Sequence, residues 1–311
     1  MKYHVWQFHF TEEVHFGNGG LNTCDSILHA DTIFSALCIE AIRAGKDTFN
    51  RLVDAAKGDR IRFSDALPYI GNQYYIPKPI MKLQVEKTAN SIEKKALKKL
   101  EYLPVDQLTA FLHGALDIRK ESEHFAEHFG SFRMIEKASI NGMEETRPYG
   151  IEGFHYAEGS GLYLCCGYEE EEDLTLIEEL LESLEFAGVG GEISSGLGRF
   201  ELCVAKTANT KPLLERIRDS GYRRYLSLSV SLPKETELEQ ALSGAEYQLI
   251  RRGGFIASET YAATACKKRD LYVFAPGSTF VHLFNGDVYV VSDGGTHPVY
   301  RYARPLFIGV E

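Results

Sequence analysis

The sequence predicts an α+β protein built from two unequal units. Three observations carry that reading. Alternating strand patterns open the chain and recur to its end, as in YLSLSVSL at 225–232. Helical periodicity separates them, most clearly in EEEEDLTLIEELLESLEF at 169–186. The length of 311 residues suits two ordinary domains.

Residues 2–10 read as a strand with a phase shift at Val5-Trp6, taken as a bulge. A Gly/Asn loop (17–22) follows, and Asp31 reads as the N-cap of a helix whose buried face is Ile33, Phe34, Leu37 and Ala41. NQYYIPKPI (72–80) reads as a strand ended by prolines. Residues 82–135 differ in character and read as an inserted helical thumb. Within it, SIEKKALKKLEYL is a basic amphipathic helix with Ile92, Ala96, Leu100 and Leu103 on one face, broken by Pro104, and Asp106 caps a second short helix. Strand signals resume near 135–168, ending in GLYLCCGY. The acidic helix then buries Leu174, Ile177, Leu181 and Leu184, with its early acids at the positive end of the dipole. A glycine loop and the strand RFELCV complete the order strand, helix, strand, strand, helix, strand, which is the ferredoxin-like pattern. A basic linker, KPLLERIRDSGYRR, leads to a smaller α+β unit from 221 to 311.

Net charge is −10, which argues against a general nucleic-acid binder but leaves room for a local basic groove on an acidic body. An acidic exterior also suits a basic protein partner. Six cysteines (24, 38, 165, 166, 203 and 266) form no Cys-x-x-Cys pair, so a reducing cytoplasm is expected, with no disulfide framework and no zinc. Neither a signal core nor an apolar run long enough to cross a membrane is present in the sequence.

Five glycines fall between 188 and 198. Counting from Gly188, a dinucleotide fingerprint needs glycine at 193, where Ile stands, and a helix precedes the loop where a strand should. A Walker loop needs Lys-Ser/Thr after Gly196, where Leu197-Gly198 stand. No cofactor is therefore expected. Backbone N–H groups at Gly190, Gly191, Gly196 and Gly198 remain, with the hydroxyls of Ser194 and Ser195 and the cation of Arg199; these suit phosphates held without metal. The plain alternative is a helix-to-strand turn. Arg251-Arg252 before a glycine pair, Lys267-Lys268-Arg269, Arg133 and Arg147 are further phosphate candidates, weighed against charged strand edges. His9, His15 and His29 raise acid–base chemistry, but no paired base is visible in the sequence. HFAEH (124–128) has its acid in the wrong slot for a zinc helix, and Cys165-Cys166 read as packing residues.

LHADTIFSALC, YYIPKPI, KKLEYLP, GGEISSGLGRFEL and HPVYRYARPLFIGV occur in the order seen in one family. Together they resemble the fourth subunit of the Csm complex, the type III-A CRISPR effector, in the RAMP superfamily. The resemblance implies two ferredoxin-like (RRM-like) domains, 1–220 and 221–311, and a non-catalytic RNA-binding subunit for antiviral defence. Such a subunit grips the 5′ repeat-derived tag of the guide RNA, docks the large polymerase-nuclease subunit, and meets target RNA indirectly through a thumb beside the adjacent backbone RAMP subunit. The tag-binding role then falls on Gly190 to Arg199, with Lys78, Arg147, Arg251 and Arg252 nearby. Ala30 departs from the family, where many relatives have Ser. The alternative within the superfamily is a metal-independent CRISPR RNA-processing endoribonuclease, which would need a working histidine such as His29.

Overall fold

The computed structural model describes residues 1–17, 19–82, 91–139, 147–258, 260–262 and 264–311. Its centre is a mixed α+β body around an antiparallel sheet. Six strands run in the order Phe200–Val204, Lys2–Phe10, Ser160–Tyr168, Leu67–Ile70, Gln73–Pro77 and Tyr102–Pro104, with Ile61–Phe63 pairing beside Leu67–Ile70 on the same neighbour. Ser160–Tyr168 is buried along its whole length, which is why its sequence is apolar rather than alternating. Cys165 and Cys166 are free, fully buried packing residues.

The expected bulge at Val5-Trp6 is absent: Lys2 to Phe8 pair in unbroken register with Tyr168 to Leu162. The phase shift has another cause, since Val5 and Trp6 are both buried and the sheet is covered on both faces there. Helix Ala30–Ala44 buries Ile33, Phe34, Leu37 and Ala41 as its periodicity requires. It packs against Glu171–Ala187 and, across Gly45, against a further helix at Lys46–Lys57 that the sequence pattern does not announce. Gly45 has a φ of 136°, which favours glycine and lets the chain turn sharply between the two helices.

Three further readings are corrected. The basic helix is Ser91–Lys99; Tyr102 and Leu103 leave it to form a strand against Gln73–Pro77, because pairing buries both. Part of the 82–135 segment is thus sheet and core. Residues 83–90 lie outside the described residues. The basic linker is a helix, Thr207–Arg218, in spite of Pro212, because Thr210, Leu213 and Leu214 are buried beneath it. Asp31 is not the cap of its helix; His29 takes that position, and the Ala30 N–H donates to Asp65 Oδ1 at 2.8 Å.

A long hairpin, Gly130–Ser139 with Arg147–Tyr156, leaves the body at a bridge between Val14 and Phe154. The C-terminal unit holds three short strands in the order Thr279–Phe280, Tyr225–Ser227 and Phe307–Gly309, with ladders at Leu249–Arg252/Leu271–Phe274 and Val288–Val290/Tyr300–Tyr302. Its Leu228, Val230, Tyr302 and Leu306 join the same apolar core as the large sheet. Among the described residues, no helix is long and apolar enough to cross a membrane.

The seam between the units carries two buried carboxylates. Asp65 accepts from the N–H of Ala30 and from that of Val230 (3.1 Å). Asp31 accepts from Arg252, at 2.9 and 3.1 Å, and from Arg301. Burial alone would raise the Asp31 carboxyl, but Arg252 and Arg301 outweigh it and hold it below the usual carboxylate range. Asp31→Asn leaves two buried guanidiniums without their acceptor and is expected to cost about 3–5 kcal/mol in a urea titration near neutral pH. Because the folded value is depressed, this stabilisation is complete above about pH 4, the unfolded carboxylate value, and is lost as pH falls toward the folded one. The gap between wild type and Asp31→Asn should therefore narrow on acidification.

Candidate nucleic-acid interface

A groove of about 1360 Å³ runs along the seam. Its walls are the loop after Phe16, the start of helix Ala30–Ala44, the strand end at 77–80, and the segments around 248–255 and 267–270. Seven lysines and arginines line it against four carboxylates, although the chain as a whole has 34 basic and 44 acidic residues. Local charge is thus opposite in sign to net charge, and a polyanion would be drawn here.

Of the residues expected from the sequence, the groove collects Lys78, Arg251 and Arg252. Lys78 is half-buried and its Nζ donates to the Leu97 carbonyl at 2.6 Å. Arg251 is exposed, with only a 3.5 Å contact to an equally accessible Asp270, an arrangement worth little in water. Arg252 is largely spent on Asp31 and the Thr32 hydroxyl (3.0 Å). Arg147 opens the second hairpin strand opposite Ser139; its side chain lies outside the described residues.

The glycine loop does not line the groove. Its backbone is turned onto the chain itself. Gly191 donates to the His15 carbonyl at 2.8 Å, Gly198 to the Glu13 carbonyl at 2.9 Å, and Val189 to the Gly198 carbonyl at 3.0 Å. Lys137 bonds the Ser195 hydroxyl and pairs with Glu192 at 3.2 Å. Ser194, Ser195 and Arg199 are exposed, whereas Gly198 is buried. Gly190 and Gly191 lie against His15 and Phe16, directly before Gly17, Gly19 and Leu21, which line the groove. The loop therefore braces one wall from behind.

Phe132 and Phe255 were not assigned from sequence; Lys267 and Lys268, weighed there as phosphate candidates against a charged strand edge, also line the groove. Lys267 stands over the exposed Phe255 ring at 5.5 Å, and Phe132 from the hairpin is half-exposed at the rim. Lys268 donates to Ser35 at 3.1 Å; burial, then Arg301, push its pKa down. His29 acquires the partner that sequence could not supply: its Nδ1 lies 2.6 Å from Asp65 Oδ2. Only the basic doublets signalled any of this; the ring partners come from distant segments. The His124 to His128 pair sits on an exposed helix, Ile118–His128. Among the described residues, no three His, Cys, Asp or Glu side chains converge on a metal position.

A family model described as the CRISPR Csm4 C-terminal domain matches residues 220–310. The chain is similar to the CRISPR system Cms protein Csm4 of Mycobacterium tuberculosis, at 39% identity over 100% of this chain and 98% of that one. It is also similar to the protein of that name from Streptococcus thermophilus, at 30% identity with both chains fully covered. Among solved structures it resembles Csm4 in a Csm3–Csm4 subcomplex of the type III-A interference complex, with a TM-score of 0.68, 21% identity and both chains fully covered. A Csm1–Csm4 cassette in complex with cA4 gives 0.62 at 22% identity, covering 100% of this chain and 98% of the other.

The loop geometry separates two glycines. Gly198, at a φ of 75°, has the Val189 carbonyl where a Cβ would stand, while Gly196, at 94°, faces open space. Gly196→Ala should cost about 1–2 kcal/mol, the left-handed penalty alone. Gly198→Ala should lower the thermal midpoint distinctly further, because the collision adds to that penalty.

Proposed function

We infer function from a fixed premise: the chain belongs to the Csm4 family of type III-A CRISPR subunits. On that premise the protein is an RNA-binding, non-catalytic subunit of a type III-A effector. It holds the 5′ repeat-derived tag of the guide RNA in the seam groove. It meets a Csm3-type backbone neighbour and a Csm1-type large subunit, the partners named for its structural relatives. The carrying observation is the groove's excess of basic side chains on an otherwise acidic protein. Lys78, Arg251, Lys267 and Lys268 supply phosphate contacts, and Phe132 and Phe255 offer faces on which unpaired bases stack. The glycine loop, with Ser194, Ser195 and Arg199 at its surface, extends the RNA path along the neighbouring wall.

We also read both units as ferredoxin-like. In the first, numbering Lys2–Phe10, Leu67–Ile70, Ser160–Tyr168 and Phe200–Val204 as 1 to 4 gives the spatial order 4-1-3-2 with two helical crossovers. The second repeats the order through Phe307–Gly309, Tyr225–Ser227 and Thr279–Phe280, with the short ladder Val288–Val290/Tyr300–Tyr302 where the second helix would stand.

One observation favours cleavage instead: the His29 to Asp65 pair resembles an oriented base. Asp65, however, also anchors the Ala30 N–H and, across the seam, that of Val230, which is work enough to explain it. Incubation with repeat RNA decides the matter; cutting that disappears in His29→Ala would overturn the scaffold reading.

The binding test uses the assembled complex and tag-bearing RNA. Arg251→Glu with Lys267→Glu should weaken binding at all salt concentrations and reduce the slope of log K against log salt by about one for each phosphate no longer neutralised. Lys211→Glu, at an exposed position of helix Thr207–Arg218, should change neither. Equal behaviour of the two variants would remove the RNA from the groove.

A further inference from the structure

His29 sits at the head of helix Ala30–Ala44, on the floor of the groove. Asp65 is wholly buried beneath it, and a carboxylate only accepts, so the hydrogen in the 2.6 Å contact belongs to His29 Nδ1. In the neutral ring this fixes Nε2 as a bare acceptor. Nδ1 is turned to the buried Asp65, while His29 lines the groove with 11% of its side chain exposed.

Among the ionisable side chains lining the groove that acceptor stands apart; the other neutral acceptors include Gln248 and the hydroxyls of Ser26, Thr32 and Ser35, of which Thr32 and Ser35 already accept from Arg252 and Lys268. Lys78, Lys98, Arg251, Lys267 and Lys268 are pure donors. Asp25, Glu101 and Asp270 accept, but their charge repels a phosphodiester, and Asp31 is occupied by two arginines. A neutral imidazole accepts without repulsion. The group on a nucleic-acid backbone that donates a hydrogen bond close to phosphate is the ribose 2′-hydroxyl, which DNA lacks.

We propose that His29 Nε2 accepts a hydrogen bond from one ribose 2′-hydroxyl in the groove, so that this site tells RNA from DNA, with Asp65 as the positioning residue that holds the tautomer. The lysines and arginines give affinity for either backbone; His29 gives the preference. The proposal rests on RNA occupying the groove.

The test is a scan of single 2′-deoxy nucleotides through the tag, bound to complexes carrying wild type, His29→Ala, His29→Gln or His29→Lys. Wild type should lose about two- to tenfold in affinity at one position, the range of a single net hydrogen bond. His29→Ala should bind the all-ribose tag that much more weakly and be indifferent to the same substitution. His29→Gln, whose amide oxygen accepts, should regain part of the preference; His29→Lys, a donor only, should not. A merely structural histidine would weaken ribose and deoxy tags alike, and a preserved wild-type scan in His29→Ala overturns the proposal. Arg251→Glu with Lys267→Glu separates the two levels. If that pair leaves RNA binding intact, the groove reading fails and this proposal with it. If the pair abolishes binding while His29→Ala keeps the deoxy penalty, only the histidine's role fails.

Discussion

The molecule depends on the way one helix start joins its two units. His29, Ala30 and Asp31 are consecutive, and all three make contacts at the seam. The His29 ring and the Ala30 N–H meet Asp65, which also accepts from Val230 across the boundary. Asp31 takes Arg252 and Arg301 from two separate ladders of the C-terminal unit. Two buried carboxylates would be a liability in an apolar core, since each leaves water and must find donors there. Here every donor comes from a segment that has to be placed against the others. The cost of burial becomes a registration device, because the wrong docking leaves a carboxylate unpaired. The apolar core runs through the same boundary, so the units are not independent bodies resting on each other.

That seam also creates the groove. Arg252 is anchored by Asp31, which holds the Leu249–Arg252 strand so that its neighbour Arg251 faces outward. Lys268 is held by Ser35 from the same helix. Charges that would repel one another in an isolated C-terminal unit are kept in place by the N-terminal one. An acidic chain can thus present a basic trough without a basic composition, because placement, rather than count, sets the local potential.

Much of the fold was legible in the chain. The helix at 171–187 and the face Ile33, Phe34, Leu37 and Ala41 carry their periods openly, whereas of YLSLSVSL only Tyr225–Ser227 forms a strand and its alternating serines are buried. Most of the misreadings share one cause, that burial overrides local propensity. Val5 and Trp6 look out of phase because both faces of their sheet are covered. Tyr102 and Leu103 continue a helical stripe on paper, yet pairing with Gln73–Pro77 buries them better. Pro212 suggests a break, but it lies beside Leu213 and Leu214, whose burial outweighs one missing hydrogen bond. The site was less legible than the fold. Arg251, singled out by charge and its glycine neighbours, and Lys78, named through the family resemblance, both line the groove, whereas the partner of His29 stands 36 residues away and Asp31 meets an arginine 270 residues away. No local pattern encodes such distances.

The glycine loop shows how a strong local signal misleads about which atoms it serves. Its spacing argues against a nucleotide fingerprint, but a dense run of glycines still suggested a cradle for something external. In the fold, the N–H groups of Gly191 and Gly198 are satisfied by the carbonyls of His15 and Glu13. What approaches closely is the chain itself. The loop packs on His15 and Phe16, next to the turn that forms one wall of the trough. Rigid support behind a charged surface matters for a flexible polyanion, since each contact already held in place is entropy that binding need not remove. Ser194, Ser195 and Arg199 are exposed on the loop, and Lys137 ties Ser195 to the hairpin, so the loop is braced from that side as well.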